Sequence, residues 1–228
     1  MQSKSLLLIF FILVILFLIF FAYRASIKKK QSTAATQSNT LDSEPFLMPI
    51  EDVFSIQGRG VVVTGTIQRG RIHVGDKPSL VGRSNEVREV NVTGIEQFRK
   101  LFDEAAAGDP VGLLLRHVTP DEVKPGQVLA APNSIDAHER FSAEVYFLSM
   151  DEGGLSTPIT ADIDSQFFFR APPIDGSFSF SEGILEALPG ETTTIKVTLS
   201  EPLAMEIGSR FSLQVQNKVI ASGTVIGC

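Results

Sequence analysis

The residues of this 228-residue chain that could do chemistry are few and far apart. Phosphate binding needs glycines that let the backbone come close, a lysine that reaches the terminal phosphates and a hydroxyl for magnesium. The nearest string, GRIHVGDK from Gly70 to Lys77, has Asp76 where that lysine belongs. DEGG from Asp151 fits a loose four-residue nucleotide pattern, and NKVI from Asn217 lacks the aspartate that recognition of a guanine base requires. Each reads as a chance match, so neither GTP nor any other cofactor is expected. His73, His117 and His138 do not cluster with carboxylates or cysteine at ligand spacing, so no metal site is expected. Cys228 is the single cysteine and the last residue, which excludes an intrachain disulfide. No nucleophile, base and orienting acid can be assembled; catalytic residues are expected to be absent and the chain not to be an enzyme.

What positions residues along this chain is the sheet period. In TIKVTLS, Thr194, Lys196 and Thr198 alternate with Ile195, Val197 and Leu199, the pattern of a strand with one buried face. FSLQVQ repeats it with Phe211, Leu213 and Val215, as do FSAEVYF from Phe141 and SFSF from Ser177. Glycine and proline signals (QRGRIHVGD, KPGQ, APN, DEGG, PPIDGS, LPGE) separate these runs, which predicts barrels or sandwiches of antiparallel strands. One segment dissents: IEQFRKLFDEAAAGD spaces Ile95, Phe98, Phe102 and Ala105 by three and four, and periodicity alone predicts a helix there. The stretch Ala130 to Arg140 interrupts the strand pattern between halves of similar length and is the expected domain boundary.

The amino terminus follows a different logic. Leu6 to Ala22 is a run of seventeen apolar residues, which as a helix would cover roughly 26 Å, close to the thickness of a bilayer's hydrocarbon core. Arg24 and Lys28–Lys30 follow it at once, which favours a retained anchor over a cleaved signal peptide. By the positive-inside rule these charges place the rest of the chain in the cytoplasm. Beyond residue 30 the chain holds fifteen basic against twenty-six acidic residues. Such an acidic body lacks the broad positive field that draws in nucleic acid. The polar stretch Gln31 to Glu44 reads as a flexible tether with a reach on the order of 20 Å.

FLMPIEDVFSIQGRGVVVTG, from Phe46 to Gly65, resembles the start of the second domain of bacterial elongation factor Tu. VGDKPSLVG, TGIEQFRKLFDEAAAGDPVGLLLR and GQVLAAPNSI continue that resemblance in order. HERFSAEVYFLSMDEGG, STPI, QFFFR, PGE, KVTLSEPLAMEIGSRFSLQ and GTVIG extend it through the third domain, so that it covers Phe46 to Gly227. The resemblance implies two tandem antiparallel β-barrels, and strand and turn rather than helix over Ile95–Ala105. The expected fold is all-β, two tandem barrels preceded by a single transmembrane helix. Its expected divisions are an anchor over 1–24, a basic juxtamembrane segment and linker over 25–45, a first barrel over 46–133 and a second over 134–228. The family's GTPase domain has no counterpart in the motifs, and the transmembrane segment stands in its place. The location implied is a bacterial inner membrane, with the barrels on the cytoplasmic side.

The family's second domain holds the 3′-terminal adenosine of aminoacyl-tRNA. The matching positions are Ile56, Val62, Leu114 and Glu96, with Arg99 matching an arginine that meets the adjacent phosphate. An apolar platform stacks a base, and a guanidinium pairs with phosphate oxygens. The aminoacyl pocket is matched by Glu51, Asp52, Phe54 and Thr64, while Pro110 replaces an asparagine. The alternative account makes Ile56, Val62 and Leu114 barrel residues, and Glu51 and Asp52 residues that cap a turn or belong to an inherited framework. In the second half, Leu155 and Ser156 replace an Arg-His pair, Asp162 and Asp164 replace basic residues, and Ala171 replaces a hydroxyl; Gln166 and Arg170 remain. Those exchanges turn a surface that should attract a tRNA stem into a repulsive one. The expected function is therefore a membrane-anchored, GTPase-less elongation factor Tu-like binding module, an adaptor for a protein partner: a translation component, a factor that contacts elongation factor Tu, or a membrane complex. The alternative is weak capture of aminoacyl-tRNA 3′ ends near the membrane.

Overall fold

The computed structural model describes residues 41–56, 60–84, 86–161, 164–170, 172–181 and 183–228. The expected membrane span and its basic flank fall outside the described residues. No helix among those described is long and apolar enough to cross a membrane. Residues 44–228 form one compact unit.

The first lobe is built from eleven strands: β1 (Leu47–Pro49), β2 (Asp52–Ile56), β3 (Gly60–Thr66), β4 (Arg71–His73), β5 (Ser79–Val81), β6 (Arg88–Glu89), β7 (Asn91–Gln97), β8 (Lys100–Phe102), β9 (Glu104–Ala106), β10 (Pro110–Arg116) and β11 (Val128–Ala130). They form a sheet ordered β1-β11-β5-β6, a second ordered β2-β3-β10-β7-β8 and the pair β4-β9. All pair antiparallel, and the sheets wrap one core, so the lobe is barrel-like, its hydrogen bonding divided among three sheets. Strand period sets the core: Val61 and Val63 of β3 and Val111, Leu113 and Leu115 of β10 point inward, while Val62, Thr64, Gly112 and Leu114 between them point outward. Gly65 is forced by a close approach, since a Cβ there would stand 2.1 Å from the Pro49 carbonyl oxygen.

The second lobe contains β12 (Asp136–Phe147), β13 (Ile159–Thr160), β14 (Ser165–Phe168), β15 (Ile174–Phe180), β16 (Glu186–Ala187), β17 (Thr192–Met205), β18 (Arg210–Val215) and β19 (Lys218–Gly227). Six of them close a barrel in the order β12-β17-β15-β14-β18-β19. Closure satisfies every strand edge within the barrel. Its core is aromatic: Phe141, Phe167, Phe169 and Phe211 pack with ring centroids 5.0–6.4 Å apart, while Phe178 and Phe180 pack on Phe147. Gly223 lies opposite Phe211 in the β18–β19 register and leaves the space the ring fills.

The helix that apolar spacing predicts over Ile95–Ala105 is not formed: that segment is the end of β7, then β8, then β9. Phe98 and Arg99 instead close a two-residue hairpin between Gln97 and Lys100, both with positive φ (48° and 64°), the type I′ geometry whose twist suits paired strands. Phe98 and Phe102 are exposed there, so their spacing from buried Ile95 imitates a helical stripe without sharing its face. The strings that resembled nucleotide motifs are turn chemistry. Asp76 Oδ2 accepts the His73 backbone N–H at 2.8 Å, Gly153 ends a short 3-10 turn in the left-handed region, and Gln216 with Asn217 forms another hairpin turn.

The two lobes meet over an apolar patch of Leu47, Val81, Val128 and Ala130 from the first and Ile135 and Ala204 from the second. Arg69 grips Glu206 through both terminal nitrogens (2.6 and 3.1 Å), and Arg83 pairs with Glu201 while its backbone N–H donates to the Pro202 carbonyl at 2.6 Å. Gly82 sits against Ala204, where a Cβ would come within 3.1 Å of the Ala204 nitrogen.

Candidate binding face on the first lobe

The residues expected at a 3′-end site come from four strands and the turns beside them, and register decides whether they meet. Asp52 lies opposite Thr64, Thr64 opposite Gly112 and Gly112 opposite Glu96, which in turn lies opposite Leu101. The next row reads Phe54, Val62, Leu114, Gly94. Ile56 follows on β2, opposite Gly60. Asp52, Phe54, Ile56, Val62, Thr64, Glu96 and Leu114 therefore share one outer face. Glu51 stands just before β2, its N–H donating to the Thr64 carbonyl at 2.8 Å, and Arg99 is at the hairpin tip beyond Glu96.

The floor of this face is shaped by its glycines. Where Gly112 and Gly94 lack side chains, a Cβ would lie only in van der Waals contact, 3.7 Å from Val62 Cγ1 and 3.6 Å from Leu114 Cβ. The two glycines thus leave a shallow floor of Val62 and Leu114 with Phe54 and Ile56 standing exposed at one side. A bulge in β7 helps to aim the face: the partners of β10 step from Gly94 to Val92 across Thr93, whose hydroxyl donates to the Leu114 carbonyl at 3.2 Å. An open depression of about 510 Å³ continues past Ile56 and Gly60 to Arg116 and His117. Chemically the face offers flat apolar contact, the carboxylates of Asp52 and Glu96 at either side of it and cations at its tip.

The second lobe contributes differently. Gln166 Nε2 donates to Asp175 Oδ1 at 2.9 Å, and these residues line an open hollow of about 800 Å³ with Asp164, Gln214 and Asn217. Asp162 and Ala171 fall outside the described residues. Arg170, which the resemblance sets on the tRNA-facing surface, is turned inward: Nη1 donates to the Ala204 carbonyl at 3.0 Å beside the lobe interface. Burial lowers its pKa from the ordinary value, against the opposing pull of Glu206. That bond lies within the second lobe and holds the half-buried guanidinium against the β17 backbone.

The chain matches elongation factor Tu domain 2 over residues 60–130 and the elongation factor Tu C-terminal domain over residues 134–228. Both lobes are elongation factor Tu-like domains. The strand reading of Ile95–Ala105 that the resemblance implied agrees with this assignment. What neither sequence pattern nor resemblance singled out is the apolar hairpin of the elongation factor Tu-like first lobe, with Phe98 and Leu101 85 % and 82 % exposed. The available signal was FRKLF itself, apolar residues interleaved with cations where a tight turn forbids a buried face. Arg69 and Arg83, which tie the lobes, carried no sequence signal.

Proposed function

We propose that this chain is a translation-factor-like binding module that acts by contact rather than catalysis, is held at a membrane by Leu6–Ala22, and presents the outer face of the β2-β3-β10-β7-β8 sheet to a protein partner. The observation that carries this reading is the contiguous apolar face on which Phe54 and Ile56 flank Val62 and Leu114. A face of this kind on an acidic chain is suited to shape-complementary apolar contact. The family matches make a partner among translation components the natural class, as a matter of ancestry. The test places a photo-crosslinking side chain at Val62 or, as control, at Lys196 on the second lobe, in the full-length chain in native membranes. A discrete adduct at Val62 that Leu114→Glu abolishes is expected; equal labelling at both positions overturns the reading.

A second reading, capture of an aminoacyl-tRNA 3′ end, is favoured by one specific observation: the register sets Glu96 beside the Val62–Leu114 floor with Arg99 just beyond it. The supporting chemistry is base stacking with a carboxylate for edge recognition and a guanidinium for phosphate. Titration of the detergent-solubilised full-length chain with charged and uncharged tRNA separates the two. Binding that depends on the aminoacyl group and is lost in Glu96→Ala and Arg99→Ala supports capture; absence of binding at micromolar protein excludes it.

A further inference from the structure

The β7–β8 hairpin is not explained by the fold. Phe98 occupies the left-handed region at φ 48°, a conformation that costs a bulky side chain energy, and it makes no compensating burial, being 85 % exposed. Leu101 follows at 82 % and Phe102 at 42 %. Between them stand Arg99 and Lys100, both exposed, so the segment Gln97–Phe102 carries three large apolar groups, two cations and no acid. This arrangement inverts the character of the rest of the chain beyond residue 30, where acids outnumber bases by eleven.

Position gives the patch its meaning. Glu96 is level with Gly112 and Thr64, so the hairpin tip at Phe98 and Arg99 lies at the Thr66 end of β3. The chain comes into the first lobe at that same end, because Leu47 exchanges hydrogen bonds with Arg69 (3.0 Å) and Gln68 (2.8 Å), the residues just beyond β3. Twenty-four residues, 23–46, join that point to Leu6–Ala22, with Arg24 and Lys28–Lys30 next to the apolar run, and the tether expected from the sequence has a reach on the order of 25 Å. We infer that the Phe98–Phe102 hairpin dips into the headgroup region of an anionic bilayer, its aromatic and leucine side chains in the acyl boundary and Arg99 and Lys100 against lipid phosphates. The inference rests on the membrane-anchor reading and deepens it: the anchor fixes location, and the hairpin fixes which way the lobes face. Phenylalanine and leucine beside cations is the composition that interfacial segments use. Acidic surfaces elsewhere on the lobes would be repelled by the same leaflet, which favours one orientation.

The chain contains no tryptophan, so a single substitution gives a lone fluorophore. Full-length Phe98→Trp would be reconstituted into phosphatidylcholine vesicles with and without phosphatidylglycerol, and with brominated acyl chains as quencher. Leu185→Trp serves as the control, at a site 87 % exposed beside Glu186 on the second lobe. On anionic vesicles the Phe98→Trp emission should move to shorter wavelength and be quenched by the brominated lipid, while Leu185→Trp remains water-like. Adding Arg99→Ala and Lys100→Ala to Phe98→Trp should lower the inserted-to-free ratio roughly thirtyfold, from about 1 kcal/mol per cation at an anionic surface. A chain that floats with the vesicles but keeps a water-like, unquenched fluorophore at position 98 overturns the inference and leaves the anchor intact. A chain that does not float overturns both, and a fluorophore buried only after tRNA or soluble protein is added assigns the hairpin to that partner instead.

Discussion

Phe98 holds a backbone conformation in which asparagine is easier to place, and its ring packs on nothing that would be lost. Phe98→Asn should therefore raise the stability of the lobe by about 1 kcal/mol, read as a higher urea midpoint at unchanged slope. A rise would show that the wild-type residue is retained at the expense of stability; a fall would mean the ring has a packing role. Glu152 allows a pH prediction. Its carboxylate accepts hydrogen bonds from the Tyr146 hydroxyl (2.6 Å) and from the Ser149 backbone and side chain (3.0 and 2.9 Å). In that order these bonds hold its pKa below the usual carboxylate range. Because the folded value is the depressed one, the stability that Glu152 contributes is present above the ordinary carboxylate pKa and is lost as pH falls through the lowered value. Tyr146 shifts the opposite way, raised chiefly by the bond to Glu152, so its contribution is present below the ordinary tyrosine pKa and is lost as pH rises through the raised one. Tyr146→Phe should move the Glu152 titration midpoint upward in a carbon-detected NMR titration; an unchanged midpoint would mean the hydroxyl does not bond the carboxylate in solution.

At the scale of elements, glycine and phenylalanine form complementary pairs in the second barrel. A Cβ at Gly223 would lie 2.5 Å from the Phe211 ring, and one at Gly176 would lie 2.8 Å from the Thr198 carbonyl oxygen and 3.1 Å from the Phe167 ring. Gly223→Val should cost about 2–3 kcal/mol by overpacking, measured by chemical unfolding, and a volume-releasing Phe211→Leu in the same chain should recover part of the loss. Strands such as β17 and β18 were legible because one face is buried and the alternation of Ile195, Val197 and Leu199 or of Phe211 and Leu213 records it. The Ile95–Ala105 segment was illegible to periodicity for a definite reason. Apolar residues exposed at a hairpin tip break the link between hydropathy and burial on which the period argument depends. The binding face was legible only through resemblance. Glu96, Val62 and Leu114 lie 18 to 52 residues apart in the chain, and what joins them is strand register, including a bulge at Thr93, which no local pattern encodes.

For the molecule as a whole, the lobes share an apolar patch and two ion pairs, so they should unfold together. Calorimetry of the solubilised chain is expected to show one transition, and Ala204→Glu, which buries a charge against Leu47 and Val81, should split it in two. Two transitions in the unmodified chain would show that the lobes are coupled weakly. Arg69 carries a consequence beyond cohesion. One guanidinium holds the Pro45 carbonyl at 3.2 Å and Glu206 in the second lobe, at the place where the leader segment joins the folded body. A tug on that leader is thus shared between both halves at once, as a rope made fast to two posts loads each of them. Arg69→Ala should let the front strand peel away under a smaller pulling force in an optical trap, with the remainder still standing.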